Sequence, residues 1–383
     1  MRSGYFRFLG VLALGCVPLG LRVAAQDRPS VQAVDLDASL TLDNVVAQVA
    51  SKRVVFVGET HDRYDHHLNQ LEIIRRLHQL DPNLAIGVEY FQQRFQPQVD
   101  DYIAGRTTED QFLRAIDYYR TWGYDYRLYA PIFRFAREQR IPVRALNVPG
   151  SLASAVAKLG LAGLSEQERA SLPPDIQPAD EAYKARLRAA FAEHQTAKPG
   201  AFDHFVEAQL VWDEGMATNA AAYLNSNPGR RMVILAGAGH VAFGSGIPNR
   251  LERRIHSGHA IVLNSGEDIE PQIANYILLS KKQELPPAGI LGAVLKEEHG
   301  ECRIRSLVPA GAAEKAGIQR GDVLSAVDGQ LVKTPADVRF VLWDKKPGDR
   351  VRVSVHRRHG FGTSGTRDLE LELSAPPKTG GKP

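Results

Sequence analysis

Cysteine is almost missing from this chain: Cys16 and Cys302 are the only two among 383 residues. Cys16 falls in a segment with the marks of a removable signal peptide, residues 1–25. Arg2 and Arg7 make a basic start, Phe8 to Leu21 is apolar, and Val23-Ala24-Ala25 puts small residues at a cleavage site. Cleavage after Ala25 leaves Cys302 alone, which excludes an intramolecular disulfide even in the oxidising compartment that export implies. A second reading takes Leu14-Gly15-Cys16 as a lipoprotein cleavage site, with Cys16 as the lipid anchor. Long hydrophobic runs are missing too. Phe8 to Leu21 falls short of the ~20 residues that span a bilayer and nothing later approaches that length, so no integral membrane helix is expected after the signal. Charge of one sign is also lacking. The 47 basic residues, less Arg2, Arg7 and Arg22 of the signal, equal the 44 acidic ones, which gives no support to a nucleic-acid-binding surface. The expected location is the cell envelope, periplasmic or secreted.

The length is too great for one ordinary core and points to two domains. Short apolar runs rich in β-branched residues mark strands of a sheet covered on both faces: residues 54–57, Leu84 to Val88, Pro142 to Leu146, 232–236, Ala260 to Leu263, and a short sixth within Ala274 to Leu279. Leu68, Leu71, Ile74 and Leu77 recur at helical spacing after the first run. Residues 151–230 read as a charged helical insertion over one end of the sheet. Strands alternating with helices predict an α/β fold, a parallel-rich sheet flanked by helices, over residues 40–280. Residues 281–287 have linker composition. Residues 288–374 alternate in short runs such as Val351-Arg352-Val353-Ser354-Val355, with one helix at 335–344, and predict a small β-rich domain. Residues 375–383 read as a disordered tail.

Open parallel sheets bind ligands beyond the C-terminal ends of their strands. Here four strands end at polar groups: Glu59 and His61, Glu89, Asn147, and His240 after Gly237-Ala238-Gly239. Two histidines and two carboxylates suit a divalent ion, with Glu59, His61, Glu89 and His240 as ligands, or a hydrolytic site in which Glu acts as general base. Each also has a plain structural role open to it, as a helix cap or an arginine partner. Asn147 can simply hold backbone, and His66 and His67 can cap the helix they open. A second concentration is aromatic. Tyr118, Tyr119, Trp122, Tyr124, Tyr126 and Tyr129 fall within twelve residues, with Arg120 and Arg127 among them, and aromatics are only 8% of the chain. Tyrosine and arginine suit a flat, anionic, apolar ligand, since rings cover its faces, a phenolate binds ferric iron and guanidinium pairs with carboxylate. The competing reading makes these rings a seal on the core. Phe91 and Phe95 are placed to extend the wall. Gln209, Trp212, Asp213 and Met216 share one helix face, as core or as a cover for the rim.

The Gly58-Glu59-Thr60-His61 segment with Asp62 and His66-His67, the Glu89 strand end, the aromatics from Trp122 to Tyr129, Ala145-Leu146-Asn147-Val148-Pro149 and Gly237-Ala238-Gly239-His240 resemble the ChaN family of bacterial haem-binding proteins. That family lies in a superfamily with the Tiki metalloproteases and is related to erythromycin esterases. The resemblance covers about residues 40–280. It implies haem bound through a tyrosine, with Tyr118, Tyr119, Trp122, Tyr124, Tyr126, Tyr129 and Arg127 as cofactor-binding candidates. It further implies haem-iron acquisition in the envelope, often with haem at a subunit contact and therefore a homodimer. Ile290-Leu291-Gly292-Ala293-Val294, Val308-Pro309-Ala310-Gly311, Gly321-Asp322-Val323-Leu324 and Val327-Asp328-Gly329 resemble a PDZ domain of the kind found in HtrA-type proteases. The resemblance implies a peptide carboxylate at the N–H groups of Leu291, Gly292 and Ala293, and an apolar side chain beside Val338 and Leu342. The function expected first is an exported haem-binding protein with a peptide-binding module. A metal-dependent hydrolase or peptidase acting through Glu59, His61, Glu89 and His240 stands second, and a PDZ scaffold third.

Overall fold

A computed structural model describes residues 39–192, 200–264, 269–358 and 364–377. The signal peptide, Cys16 and the tail from residue 378 lie outside the described residues. Six strands form the first sheet: β1 Val54–Glu59, β2 Leu84–Gln92, β3 Val143–Asn147, β4 Arg231–Gly237, β5 His259–Asn264 and β6 Tyr276–Leu278. Their order is β3-β2-β4-β1-β5-β6, and every pairing is parallel. Side chains alternate along a strand, so Val55 and Val57 enter one core with helix α1, Tyr64–Leu80. Val54 and Phe56 enter the opposite core with Met216, Ala217 and Leu224 of helix α2, Ala201–Ser226. All six residues of β1 are buried, as a sheet covered on both faces requires. The expected helical insertion is present, with helices at Gly150–Leu159, Glu166–Ala170 and Glu181–Ala192 before α2.

Two features place the site. β4 enters between β2 and β1, so three strand ends meet: Val88 stands opposite Leu235, and Glu59 opposite Gly237. β2 also runs past its expected end. Glu89 lies inside the strand, followed by Tyr90 and Phe91 buried in the core, and the pairing with β3 shifts register between Val88 and Gln92.

At the start of α1, Asp65 is fully buried and takes two hydrogen bonds from Arg63, at 2.9 and 2.8 Å, and one of 2.6 Å from the Ser280 hydroxyl. Burial alone would raise its pKa, but these donors and the charges around it hold the carboxyl at about 2, below its ordinary 3.8. A depressed carboxyl pKa stabilises the fold above the ordinary value, and that contribution is lost as pH falls through about 2. Thermal melts of Asp65→Asn should show a smaller loss between pH 4 and pH 2 than the unaltered chain. An unchanged acid limb would contradict this role.

The second sheet is antiparallel, built from β7 Ala293–Glu298, β8 Glu301–Leu307, β9 Val323–Val327, β10 Gln330–Leu331, β11 Arg350–Arg358 and β12 Ser364–Glu372. Asp328 and Gly329 both have positive φ, 44° and 76°, the backbone that a tight β9–β10 hairpin needs. Helix α3, Pro335–Leu342, starts at a Thr334–Asp337 capping box. It has two apolar faces. Val338, Val341 and Leu342 pack into the core of the second sheet, while Phe340 joins the aromatic core of the first. Its ring lies 5.0 Å from that of Tyr119, and Trp343 meets Tyr126 edge-on at 5.5 Å.

Candidate functional site

The rim at the ends of β1, β2 and β4 holds two carboxylate–imidazole pairs. Glu59, 1% exposed, places Oε1 2.6 Å from Nδ1 of His61. The second pair extends into a buried relay. Glu89 Oε2 accepts the Gly237 N–H at 2.7 Å, and its Oε1 lies 3.4 Å from Nε2 of His240. His240 Nδ1 lies 2.7 Å from Asp213 Oδ1 on α2, and the Tyr183 hydroxyl donates to Asp213 Oδ2 at 2.5 Å. Burial pulls the His240 pKa down, but the Glu89 and Asp213 carboxylates raise it to about 9. His61 is raised as well, burial being outweighed by its hydrogen bond to Glu59 and the charges of Glu59 and Glu89.

Two glycines leave room for these histidines. A Cβ on Gly237 would stand 2.9 Å from Cε1 of His61, and one on Gly246 would stand 2.0 Å from the His240 carbonyl oxygen. The second clash is with backbone, which cannot swing aside. Gly246→Ala should therefore shift His240 and cost about 2 kcal/mol or more, in the range of an overpacked interior. A denaturant titration checks this, and a midpoint equal to that of the unaltered chain would count against it.

His66 and His67 are structural here. The Thr60 N–H donates to His66 Nδ1 at 3.1 Å, and burial lowers the His66 pKa to about 4. His67 has Nε2 3.1 Å from the His61 carbonyl and Nδ1 3.0 Å from Gln70 Oε1. Asn147 donates to the Glu89 carbonyl at 3.0 Å and so holds backbone. Asp213 covers the rim, as one reading of its helix face allowed, and Trp212 stands 6.3 Å from the His240 ring. Tyr183 and Gln70 were not singled out from the sequence. The spacing His67–Gln70 on one helix face was the available signal for Gln70, whereas nothing local marks Tyr183.

For the divalent-ion reading of Glu59, His61, Glu89 and His240, the structure shows Glu59 hydrogen-bonded to His61 and Glu89 within 3.4 Å of His240. Among the described residues no group of three or more His, Cys, Asp or Glu is arranged to hold an ion.

The aromatic segment divides by depth. Tyr118, Tyr126 and Tyr129 are 0% exposed and Tyr119 is 8%, all within the core of the first sheet. The Tyr126 hydroxyl donates to Glu109 and that of Tyr129 to the His61 carbonyl, both at 3.0 Å. The Tyr118 hydroxyl has no hydrogen-bond partner among the described residues, and all four rings are enclosed in the core. Phe91 joins them at 1% exposure. Arg127 is likewise committed: it binds Asp125 and donates to the Pro286 carbonyl at 2.8 Å. Tyr124 differs. It is 38% exposed, its ring 5.0 Å from His61 and 5.5 Å from Trp122, while Trp122 lies 4.9 Å from His61.

In the second sheet, Leu291, Gly292, Ala293, Val338 and Leu342 all line one cavity of about 410 Å³ between the β7 edge and α3. The N–H groups of Leu291 and Gly292 donate to no backbone carbonyl among the described residues, and Gly292 has φ 72°, leaving successive donors for an anion.

Comparison with known proteins agrees with both regions. The solved structure of cofacial haem binding to ChaN of Campylobacter jejuni shares the fold, with a TM-score of 0.51 at 17% identity over 62% of this chain and 91% of that one. Protein RETICULATA-RELATED 5, chloroplastic, of Arabidopsis thaliana is 24% identical over 237 residues, 56% of this chain and 31% of its own length. A probable periplasmic DegP-like serine endoprotease of Brucella suis is 32% identical over 88 residues, 23% of this chain and 16% of its own length. This chain thus spans less than a third of the length of either relative. No described helix is long and apolar enough to cross a membrane. A PDZ-domain model matches residues 289–373. The family model for haem-binding uptake, Tiki superfamily, ChaN, matches residues 45–251, more than half of the chain, and the chain belongs to that family.

Proposed function

We propose that this chain is an exported haem-binding protein with a role in haem and iron uptake, and that its PDZ groove recruits a protein through a free C-terminus. Tyr124 is the observation that carries the haem reading. It is the exposed tyrosine of the aromatic segment, beside His61 and Trp122. Flat rings suit the macrocycle, and a phenolate oxygen is an established donor to ferric haem iron. Burial and the carboxylates of Glu59, Asp62 and Glu89 raise the Tyr124 pKa, so its proton leaves reluctantly and haemin binding should strengthen as pH rises. A haem on so open a face keeps one side uncovered, and we extend the proposal to a homodimer closing over it. Haemin titrated into the full chain should give a saturable Soret band, with a doubled mass by light scattering. No spectral change would overturn the reading.

The two carboxylate–imidazole pairs favour a second reading, hydrolysis of an ester or peptide. His61, oriented by Glu59, would take a proton from water, and His240, held by Asp213, would give one to the leaving group. Turnover lost in His61→Gln would establish this reading, and a chain inert toward both substrate classes removes it.

A further inference from the structure

The PDZ groove is not built from the C-terminal domain alone. Its cavity is also lined by Tyr119 and Asp125, from the aromatic segment of the first domain, and by Arg339 of α3. β7 is the last strand of its sheet, so a peptide can add beside it as an extra strand, its carboxylate at Leu291 and Gly292. Side chains of an extended peptide alternate between two faces. The last one enters the apolar floor by Val338 and Leu342, and the one before it turns outward. In an isolated PDZ domain that residue meets water. Here it meets the wall from the first domain.

The charge of that wall is uneven. Asp125 is neutralised by Arg127, which binds it through Nε at 3.0 Å and Nη2 at 2.6 Å. Arg120 is neutralised by Asp117 and Asp337, at 2.8 and 3.0 Å. Arg339 is exposed and has no carboxylate partner in the described structure. Its Nη1 donates to the Gly123 carbonyl at 3.0 Å, and its guanidinium lies 5.2 Å from the Tyr119 ring centroid. These two contacts hold the cation at the mouth of the groove and leave its remaining N–H groups free to donate.

We propose that the groove selects protein C-termini that end in an apolar residue preceded by aspartate or glutamate, the acidic side chain pairing with Arg339 against Tyr119. This rests on the peptide-binding reading given above and names the class of its ligand. The test is fluorescence anisotropy of the full chain with labelled decapeptides ending in valine. Their penultimate residue is Glu, Gln or Lys, and a fourth peptide is the Glu sequence with an amidated end. The Glu peptide should bind about 5-fold tighter than the Gln peptide, the effect of one partly shielded ion pair, with the Lys peptide weaker still. The preference should shrink at high salt. Arg339→Gln should abolish the discrimination, and Arg339→Glu should reverse it in favour of Lys; the residue is exposed, so folding is preserved. Free-ended peptides that bind without distinguishing Glu from Lys, or a Glu preference that survives Arg339→Glu, overturn the inference alone. Equal binding of free and amidated ends, or binding of none, overturns the peptide reading and the inference with it.

Discussion

Asp213→Ala should destabilise the chain by roughly 3–5 kcal/mol, the loss seen when one partner of a buried ion pair is removed. Asp213 is 0% exposed and its two oxygens are both engaged, one by His240 and one by Tyr183. Alanine would leave a buried hydroxyl without an acceptor and an imidazolium with only Glu89 beside it, in addition to a void. Asp213→Asn keeps the shape and should lose less. The pH dependence separates charge from packing. A His240 pKa raised from 6.5 to about 9 means that its contribution is whole below pH 6.5 and is lost as pH rises through about 9. The unaltered chain should therefore lose stability between pH 7 and pH 9.5, and Asp213→Asn should show a shallower decline. Equilibrium unfolding at three pH values checks both. A loss within 1 kcal/mol of zero for Asp213→Ala would contradict the relay.

How much of this was legible follows from where the information sits. Val54 to Val57 and Met232 to Ala236 announce buried strands because a sheet covered on both faces leaves no polar positions in them, and the positions of Glu59, His61 and His240 followed. Strand order was not legible. Nothing local to β4 says that it inserts between β2 and β1, yet that insertion sets Gly237 against Glu89 and His61. The pairing of Asp213 with His240 joins residues 27 positions apart through the fold, so sequence could offer only a helix face. Composition marked the aromatic segment but not its depth. Tyr126 and Tyr124 are two residues apart, one enclosed and one exposed, because the short helical turn at Tyr126–Leu128 points one ring into the core. The PDZ turns were the most legible, since Asp328-Gly329 has few backbone alternatives. The second apolar face of α3, which brings Arg339 to the first domain, had no periodic signature in eight residues.

The second large effect is expected at Tyr124. If its phenolate holds the iron, Tyr124→Phe removes the donor while leaving the ring against His61 and Trp122, so affinity should fall at least about 10-fold, the loss of one charged contact of about 1.4 kcal/mol. Tyr126→Phe is the matched control, since that hydroxyl is spent on Glu109 inside the core. It should cost about 1 kcal/mol of stability and leave haem binding as it was. The most direct test of the account is resonance Raman spectroscopy of the haemin complexes of the unaltered chain, Tyr124→Phe and Tyr126→Phe. The account predicts an iron–phenolate signature in the first and third that is missing from the second. The same signature in Tyr124→Phe, or its absence from all three, would contradict it.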